Sequence, residues 1–143
     1  MEPRLVKLLG QFQLLEFSLK LYIYFSHEII KERVSGLVPF KYTFEQLDSH
    51  PLEKLLATFR QLSDNSELQG RLNELPKKRN EIAHKALLYH HPSLSALLAG
   101  IYNLDYIEHS ADVGETEKEI ESCMDLLAED LAIVKGTFES LRA

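Results

Sequence analysis

The sequence predicts an all-α protein, an up-and-down bundle of about four to five helices. Apolar residues recur at three- and four-residue intervals through most of the chain. Alternation typical of a β-strand is confined to one short stretch, which has no second stretch to pair with. The length of 143 residues, with 45% hydrophobic and 27% charged residues, fits a single globular domain covering residues 1–143.

The first predicted helix runs from about Pro3 to Val34. Proline is tolerated in a first helical turn, and Ser35-Gly36 supplies a stop signal. One apolar stripe with helical spacing runs along this segment and consists of Leu5, Leu8, Phe12, Leu15, Leu19, Tyr22, Ile29 and Val34. The aromatic residues of this helix, Tyr22, Tyr24 and Phe25, are interpreted as core or dimer-interface residues rather than as stacking platforms for bases.

Residues 36–50 are predicted to form an ordered loop whose aromatic side chains pack on the bundle. Within it, Thr43-x-x-Gln46 is the pattern of a capped short helical turn. Three further helices are predicted: from Ser49 or Pro51 to Leu62, from near Ser66, and from Pro76 to about His90. Proline has no backbone N–H, so Pro76 is expected to kink the preceding helix or to begin a new one.

The pattern is weakest between Pro92 and Gly114, where only a short helix from Ser93 to Ala99 is suggested. The last helix is predicted to begin at a capping box, Thr116-x-x-Glu119, and to end at about Leu141. Its expected core stripe is Ile120, Met124, Leu127, Leu131, Val134 and Phe138. Cys123 lies beside this stripe and is interpreted as a small buried side chain.

One hexapeptide carries most of the functional information: Arg79-Asn80-Glu81-Ile82-Ala83-His84. The planar arginine fork fits phosphate oxygens, and histidine can accept and donate a proton near neutral pH. On a helix, Asn80 and His84 lie on nearly one face, whereas Arg79 is offset from His84 by roughly 140°. A groove between two copies of this helix, related by a two-fold axis, would bring both groups to one target.

The charge pattern limits the kind of partner. A net charge of −6 argues against a protein that coats nucleic acid with a broad basic surface. Lys77, Lys78, Arg79 and Lys85 nevertheless cluster around the hexapeptide. This cluster suits either a small phosphate site or a solvated helix face.

The hexapeptide resembles the signature of the HEPN superfamily, the higher eukaryotes and prokaryotes nucleotide-binding domains. That signature is an arginine, four to six residues and a histidine, often with a polar residue directly after the arginine. Arg79, Asn80 and His84 match it with four intervening residues. The firm match covers about 15 residues, from Leu75 to Tyr89, and helix order extends it weakly over the chain.

The resemblance implies an HEPN-like helical domain and a metal-independent endoribonuclease that acts as a homodimer. His84 would be the general base or acid, Arg79 would stabilise charge on the phosphate, and Asn80 would orient the phosphate or His84. Lys78 and Lys85 would hold the flanking RNA backbone. No cofactor is implied, and many such proteins are toxins or anti-phage effectors restrained by an antitoxin or immunity protein.

One departure concerns the branch whose antitoxin is a nucleotidyltransferase. Those toxins usually carry a tyrosine two residues after the histidine, where the antitoxin modifies it. This chain has Ala86 at that position, and Tyr89 follows three residues later. The departure puts membership of that branch in doubt.

Two alternatives to the nuclease remain. A non-catalytic HEPN-like bundle could bind a protein or nucleotide, as expected if the groove near Arg79 were acidic or plugged rather than basic or polar. The other alternative is a plain helical regulator whose hexapeptide is coincidental, as expected of a monomer with His84 buried against an apolar face. Arg79 and His84 would then be ordinary helix residues, and an acidic side chain of the last helix is the expected partner of Arg79.

Other features point away from further chemistry. His84 with His90 and His91 lacks the ligand spacing of a metal site, so no metal is expected. The single cysteine and the lack of a signal-peptide pattern favour a cytoplasmic location. No apolar run is long enough to cross a bilayer, so no membrane partner is expected.

Overall fold

The computed structural model describes residues 3–89 and 111–142. These residues form six helices and no strand: α1 (Pro3–Val34), α2 (Phe44–Asp48), α3 (Leu52–Leu62), α4 (Ser66–Leu72), α5 (Leu75–Tyr89) and α6 (Ala111–Arg142). The all-α prediction is therefore confirmed for this part of the chain. The first helix has the predicted bounds.

The two 32-residue helices α1 and α6 pack along each other and form the centre of the fold, and α3 and α5 pack on α1. Their contact faces are apolar because apolar residues recur at every third or fourth position and therefore lie on one side of each helix. The buried apolar side chains of α1 are Leu8, Phe12, Leu15, Leu19, Tyr22 and Ile23, and those of α6 include Val113, Ile120, Cys123 and Leu127. The predicted core stripe of α1 is confirmed at each of its positions from Leu8 to Tyr22.

The end of α1 depends on one glycine. Gly36 has a φ of 81°, in the left-handed region that side chains other than glycine disfavour. This conformation lets the N–H groups of Leu37 and Val38 donate to the carbonyl of Val34 at 2.9 and 3.1 Å. The predicted stop at Ser35-Gly36 is therefore confirmed, with the hydrogen bonds expected of a helix C-terminus.

The loop after α1 packs through its aromatic side chains, as predicted. The His27 ring lies 3.9 Å from the ring centroid of Tyr42 and 5.5 Å from that of Phe40. The short helix α2 begins after Thr43, whose N–H donates to Oε1 of Gln46 at 3.4 Å. The predicted capped turn is thus present.

Arg71 joins α4 to α6 through a forked contact. Its Nε and Nη2 donate to the two carboxylate oxygens of Glu119 at 2.8 and 3.1 Å, and Nη2 also donates to Oγ of Ser122 at 2.7 Å. The hydrogen bond from Arg71 lowers the pKa of Glu119 below its usual value. This pairing explains why an acidic residue of α6 lies near the core.

The predicted capping box at Thr116 is wrong. Helix α6 begins at Ala111, and Thr116 lies inside it with 2% of its surface exposed. Val113 lies two turns before Ile120 on the same face and is buried, so packing against α1 extends the helix to the N-terminal side of the local start signal at Thr116. Glu119 binds Arg71 instead of capping the helix. The suggested helix from Ser93 to Ala99 lies outside the described residues.

Among the helices of the described residues, none is both long enough and apolar enough to cross a bilayer.

Candidate functional site

The hexapeptide lies across the middle of α5. Leu75 and Ile82 are buried two turns apart and fix one face of this helix against the core. Pro76 lies in the first turn, where a missing N–H removes no helical hydrogen bond. Of the two expected effects of Pro76, a kink or a new helix, the structure shows a new helix, since α4 ends at Leu72 and α5 begins at Leu75. Arg79 and Asn80 are consequently placed on the part of α5 that is not buried in the core.

Arg79 makes an ion pair with α1. Its Nε donates to Oε1 of Glu16 at 2.9 Å, and the two side chains are 39% and 16% exposed. The prediction that Arg79 would pair with an acidic side chain of the last helix is wrong, because its partner lies on α1. Helix α5 packs on the side of α1 that carries Glu16, whereas Glu117 and Glu119 of α6 bind Arg4 and Arg71.

Arg79 and Asn80 line one open depression between α5 and the start of α3. Its volume is about 130 Å³, and the remaining lining residues are Pro76, Pro51, Leu52 and Glu53. The first N–H groups of a helix lack carbonyl partners within that helix and give its N-terminus a partial positive charge. The start of α3, together with Arg79, therefore favours an anion, whereas the Glu53 carboxylate opposes one.

The structure leaves part of the predicted site undescribed. The backbone of His84 and Lys85 belongs to α5, but their side chains lie outside the described residues. Lys78 is half-buried on the same helix. The site that can be described is therefore the pair Arg79 and Asn80, with Glu16 bound behind the arginine.

The sequence predicted a helix beginning at Ser49 or Pro51, but it did not indicate that the start of this helix, Glu16 and Glu53 lie at the site. Glu16 is separated from Arg79 by 63 residues in the sequence. It directly follows the buried Leu15 on α1, a helix whose prediction depended on its apolar residues alone. An acidic residue beside a core position is a weak signal that a cation packs there. Nothing local in the sequence indicates that this cation is Arg79.

His50 is a second feature that the sequence analysis did not single out. It directly precedes Pro51, which lines the depression, and its Nδ1 is buried without a partner among the described residues. Burial lowers the pKa of His50, and the positive charges of Lys54 and Lys20 lower it further. Both effects favour the neutral imidazole.

A second depression, about 210 Å³ in volume, lies between α1, α6 and the α3–α4 connection. It contains the carboxylates of Asp64 and Asp130, and Nδ2 of Asn65 donates to Oδ2 of Asp130 at 3.0 Å. Two carboxylates repel a phosphate. The acidic lining makes this depression a poor place for RNA.

The aromatic residues of α1 pack inside the fold. Tyr22 is 6% exposed, with its ring centroid 4.9 Å from that of Phe59. Tyr24 packs edge-on against Phe44, and Phe25 contacts Phe138 of α6. The interpretation of these side chains as packing residues is confirmed, since each has an aromatic neighbour within the chain.

Cys123 is fully buried, as predicted, and burial raises its pKa to about 12. A thiol with such a pKa is protonated at neutral pH and is a poor nucleophile. Within the described residues, no group of three or more His, Cys, Asp or Glu side chains is placed to hold a metal ion. His90 and His91 lie outside those residues.

The chain shows no significant match to a family model, to a curated protein or to a solved structure.

Proposed function

We propose that this protein is an HEPN-like, metal-independent endoribonuclease that works as a homodimer. The observation that supports the proposal best is the shared depression of Arg79 and Asn80 beside the N-terminus of α3. The histidine of the motif, His84, follows five residues after the arginine on the same helix. An arginine, an amide and a helix N-terminus together suit a phosphodiester group.

In the proposed reaction, a ribose 2′-oxygen attacks the adjacent phosphorus while the bond from phosphorus to the 5′-oxygen breaks. His84 takes the proton from the 2′-hydroxyl, or gives one to the leaving 5′-oxygen. The products are a 2′,3′-cyclic phosphate and a 5′-hydroxyl. Each dimer provides two copies of His84, which can supply the base and the acid.

Arg79 stabilises the negative charge that develops on the phosphoryl oxygens. The contact with Glu16 takes its Nε–H, and the guanidinium carries four further N–H donors on its two terminal nitrogens. Asn80 orients the phosphate or His84, and Lys78 and Lys85 hold the flanking RNA backbone. Glu16 keeps the arginine directed along one side of α1, which reduces the entropy lost on binding phosphate.

The test is RNA cleavage in EDTA by the purified wild type, Arg79→Ala and His84→Ala. We expect both variants to lose about 100-fold or more of the activity, because each loses a transition-state contact. Lys77→Ala is the matched control, since Lys77 is an exposed cation two positions from Arg79. Cleavage that survives in His84→Ala, or products without cyclic phosphate ends, would contradict the mechanism.

One observation favours the second candidate, a non-catalytic HEPN-like module that binds a protein or nucleotide. The Arg79 charge is already balanced by Glu16, and Glu53 adds a carboxylate to the depression. A folded wild type that leaves a broad panel of RNAs intact would support this module. Growth arrest on expression of the wild type, but not of His84→Ala, would instead support a nuclease toxin or defence effector restrained by an antitoxin.

A further inference from the structure

The first half of α1 has an apolar outer surface. The exposed residues between positions 6 and 17 are Val6, Lys7, Gly10, Gln13, Leu14 and Phe17. Val6 and Leu14 are each 53% exposed and Phe17 is 50% exposed. With Gly10, these three side chains form a line on the side of α1 opposite the buried Leu8 and Phe12. We call Val6, Gly10, Leu14 and Phe17 the outer stripe.

The partner helix α6 shows what a solvated outer surface looks like in this fold. It has the same length as α1, and from Glu115 to Glu129 its exposed residues are charged except for one alanine. The outer stripe has no charged member, and Lys7 is the only charge among the exposed residues from 6 to 17. A helix that is apolar on both sides is typical of a helix covered on both sides.

We propose that the outer stripe is the contact surface of a homodimer in which the α1 helices of two copies pack antiparallel. A two-fold axis that reverses α1 places Val6 opposite Phe17 of the partner subunit, and Gly10 opposite Leu14 of the partner subunit. Both pairs are centred within about one residue of Phe12, so a single register satisfies both. Each pair joins a smaller residue to a larger one.

Gly10 supplies the space that this register needs. A Cβ added at Gly10 would meet no atom within 4 Å, so the surface above its backbone is open. A leucine from an opposing helix can therefore sit on the Gly10 backbone and bring the two helices close together. The order of small and large residues fits the stripe to its own reversed copy, and for this reason the structure assigns a second copy of this chain as the occupant.

Charge favours the same surface. Two copies with a net charge of −6 repel each other most where their acidic surfaces meet. No acidic side chain is among the exposed residues from 6 to 17, so two copies meet there with the least repulsion. Lys7 and Gln13 lie beside the stripe and form the polar rim that surrounds the apolar centre of a typical interface.

The proposed dimer contact does not depend on the proposed nuclease activity. It does determine where the two copies of the Arg79 and Asn80 site lie in the dimer. Glu16 lies about 120° around α1 from Gly10, and its bond to Arg79 marks that flank as the one covered by α5. A two-fold axis that reverses α1 keeps equivalent flanks on the same side of the dimer. Both α5 helices, and with them both copies of Arg79 and Asn80, then lie on one side of the assembly.

The test is the dimer dissociation constant, measured by sedimentation velocity over the micromolar range. Val6→Glu and Phe17→Lys each place a charge in the apolar contact, and we expect each to raise this constant about 10-fold or more. The double variant Val6→Glu/Phe17→Lys restores two opposite-charge pairs only in the antiparallel register. It is therefore expected to dimerise more tightly than either single variant. This difference in affinity is expected to shrink at high salt, because salt screens the charge pairs.

Ile133→Glu is the matched control, since Ile133 is 67% exposed on α6, away from the stripe. Circular dichroism and thermal unfolding establish that the four variants remain folded. The proposal is overturned by a monomeric wild type, by a dimer that the two single variants leave intact, or by a double variant no tighter than the singles. None of these three results depends on RNA cleavage, so the failure of the dimer proposal can be distinguished from the failure of the nuclease proposal.

Discussion

Arg79 on α5 donates from Nε to Oε1 of Glu16 on α1 at 2.9 Å. The arginine is 39% exposed and the glutamate 16% exposed, so solvent screens the pair only in part. Partly exposed ion pairs contribute little to stability, whereas a fixed contact at Nε restricts where the guanidinium can lie. The main effect of this contact is therefore on the orientation of Arg79.

The first prediction concerns the strength of the Glu16–Arg79 contact. Glu16→Ala, Arg79→Ala and the double variant form a double-mutant cycle, read from urea unfolding. We expect a coupling free energy of about 0.5–1 kcal/mol, because one partner is over a third exposed. Glu81→Ala, an exposed glutamate on α5, serves as the control. Strictly additive effects of the two substitutions would show that the contact is not energetically significant.

The second prediction compares two leucines in opposite environments. Leu15 is fully buried between α1 and its neighbours, whereas Leu37 is 79% exposed in the following loop. Leu15→Ala is expected to lower the free energy of unfolding by about 2–5 kcal/mol, because it removes buried methyl groups and leaves a cavity. Leu37→Ala makes the same chemical change in solvent, and its effect is expected within about 0.5 kcal/mol of zero. Equal losses would contradict the assignment of the core.

The third prediction is a pH dependence that comes from His27. Burial lowers the pKa of His27 in the folded chain from the ordinary 6.5, and its Nδ1 has no partner among the described residues. Below pH 6.5 the unfolded chain therefore binds this proton more readily than the folded chain does. The free energy of unfolding is expected to fall as the pH drops below 6.5, until the folded imidazole is itself protonated.

The variant His27→Phe isolates this contribution from those of the other histidines. A phenyl ring can pack against Phe40 and Tyr42, as the imidazole does, without taking up a proton. We expect the loss of stability between neutral and mildly acidic pH to be smaller in His27→Phe than in the wild type. His50 also has a lowered pKa, so part of the slope is expected to persist. Two identical pH profiles would rule out His27 as a contributor.

The fourth prediction concerns the thiol of Cys123. It is fully buried, and its pKa is raised to about 12, mainly by burial and then by the charge of Glu119. The native protein is therefore expected to react with an aromatic disulfide at mildly alkaline pH only as fast as it unfolds. The same reagent should titrate one thiol rapidly in denaturant, since the chain has one cysteine. Rapid native reaction would show that α6 opens locally.

Most of the helices could be predicted because they depend on residues that are close together in the sequence. The apolar spacing of α1, its stop at Gly36 and the short turn after Thr43 were predictable because each depends on neighbouring residues. The start of α6 was not, since Thr116 and Glu119 form a plausible capping box. Burial of Val113 and the bond from Arg71 to Glu119 involve other helices and override that local signal.

The candidate site likewise contains residues that local sequence patterns predicted and residues that only the tertiary structure revealed. The sequence placed Arg79, Asn80 and His84 on one helix, because a motif and helical periodicity are local properties. It did not indicate Glu16 or Glu53, which reach the site from α1 and α3. The outer stripe of α1 was equally hidden, because apolar spacing alone does not reveal which side of a helix its neighbours cover.

The sequence by itself determined the fold class, the bounds of α1 and the helix that carries the motif, because these depend on side-chain period, glycine conformation and proline geometry. Only the tertiary structure decided which acidic residue meets Arg79, where α6 begins and which apolar side chains of α1 remain exposed. The physical reason is that burial acts between residues distant in the chain and its energy outweighs local preferences, whereas ion pairing selects partners that helical periodicity cannot reveal.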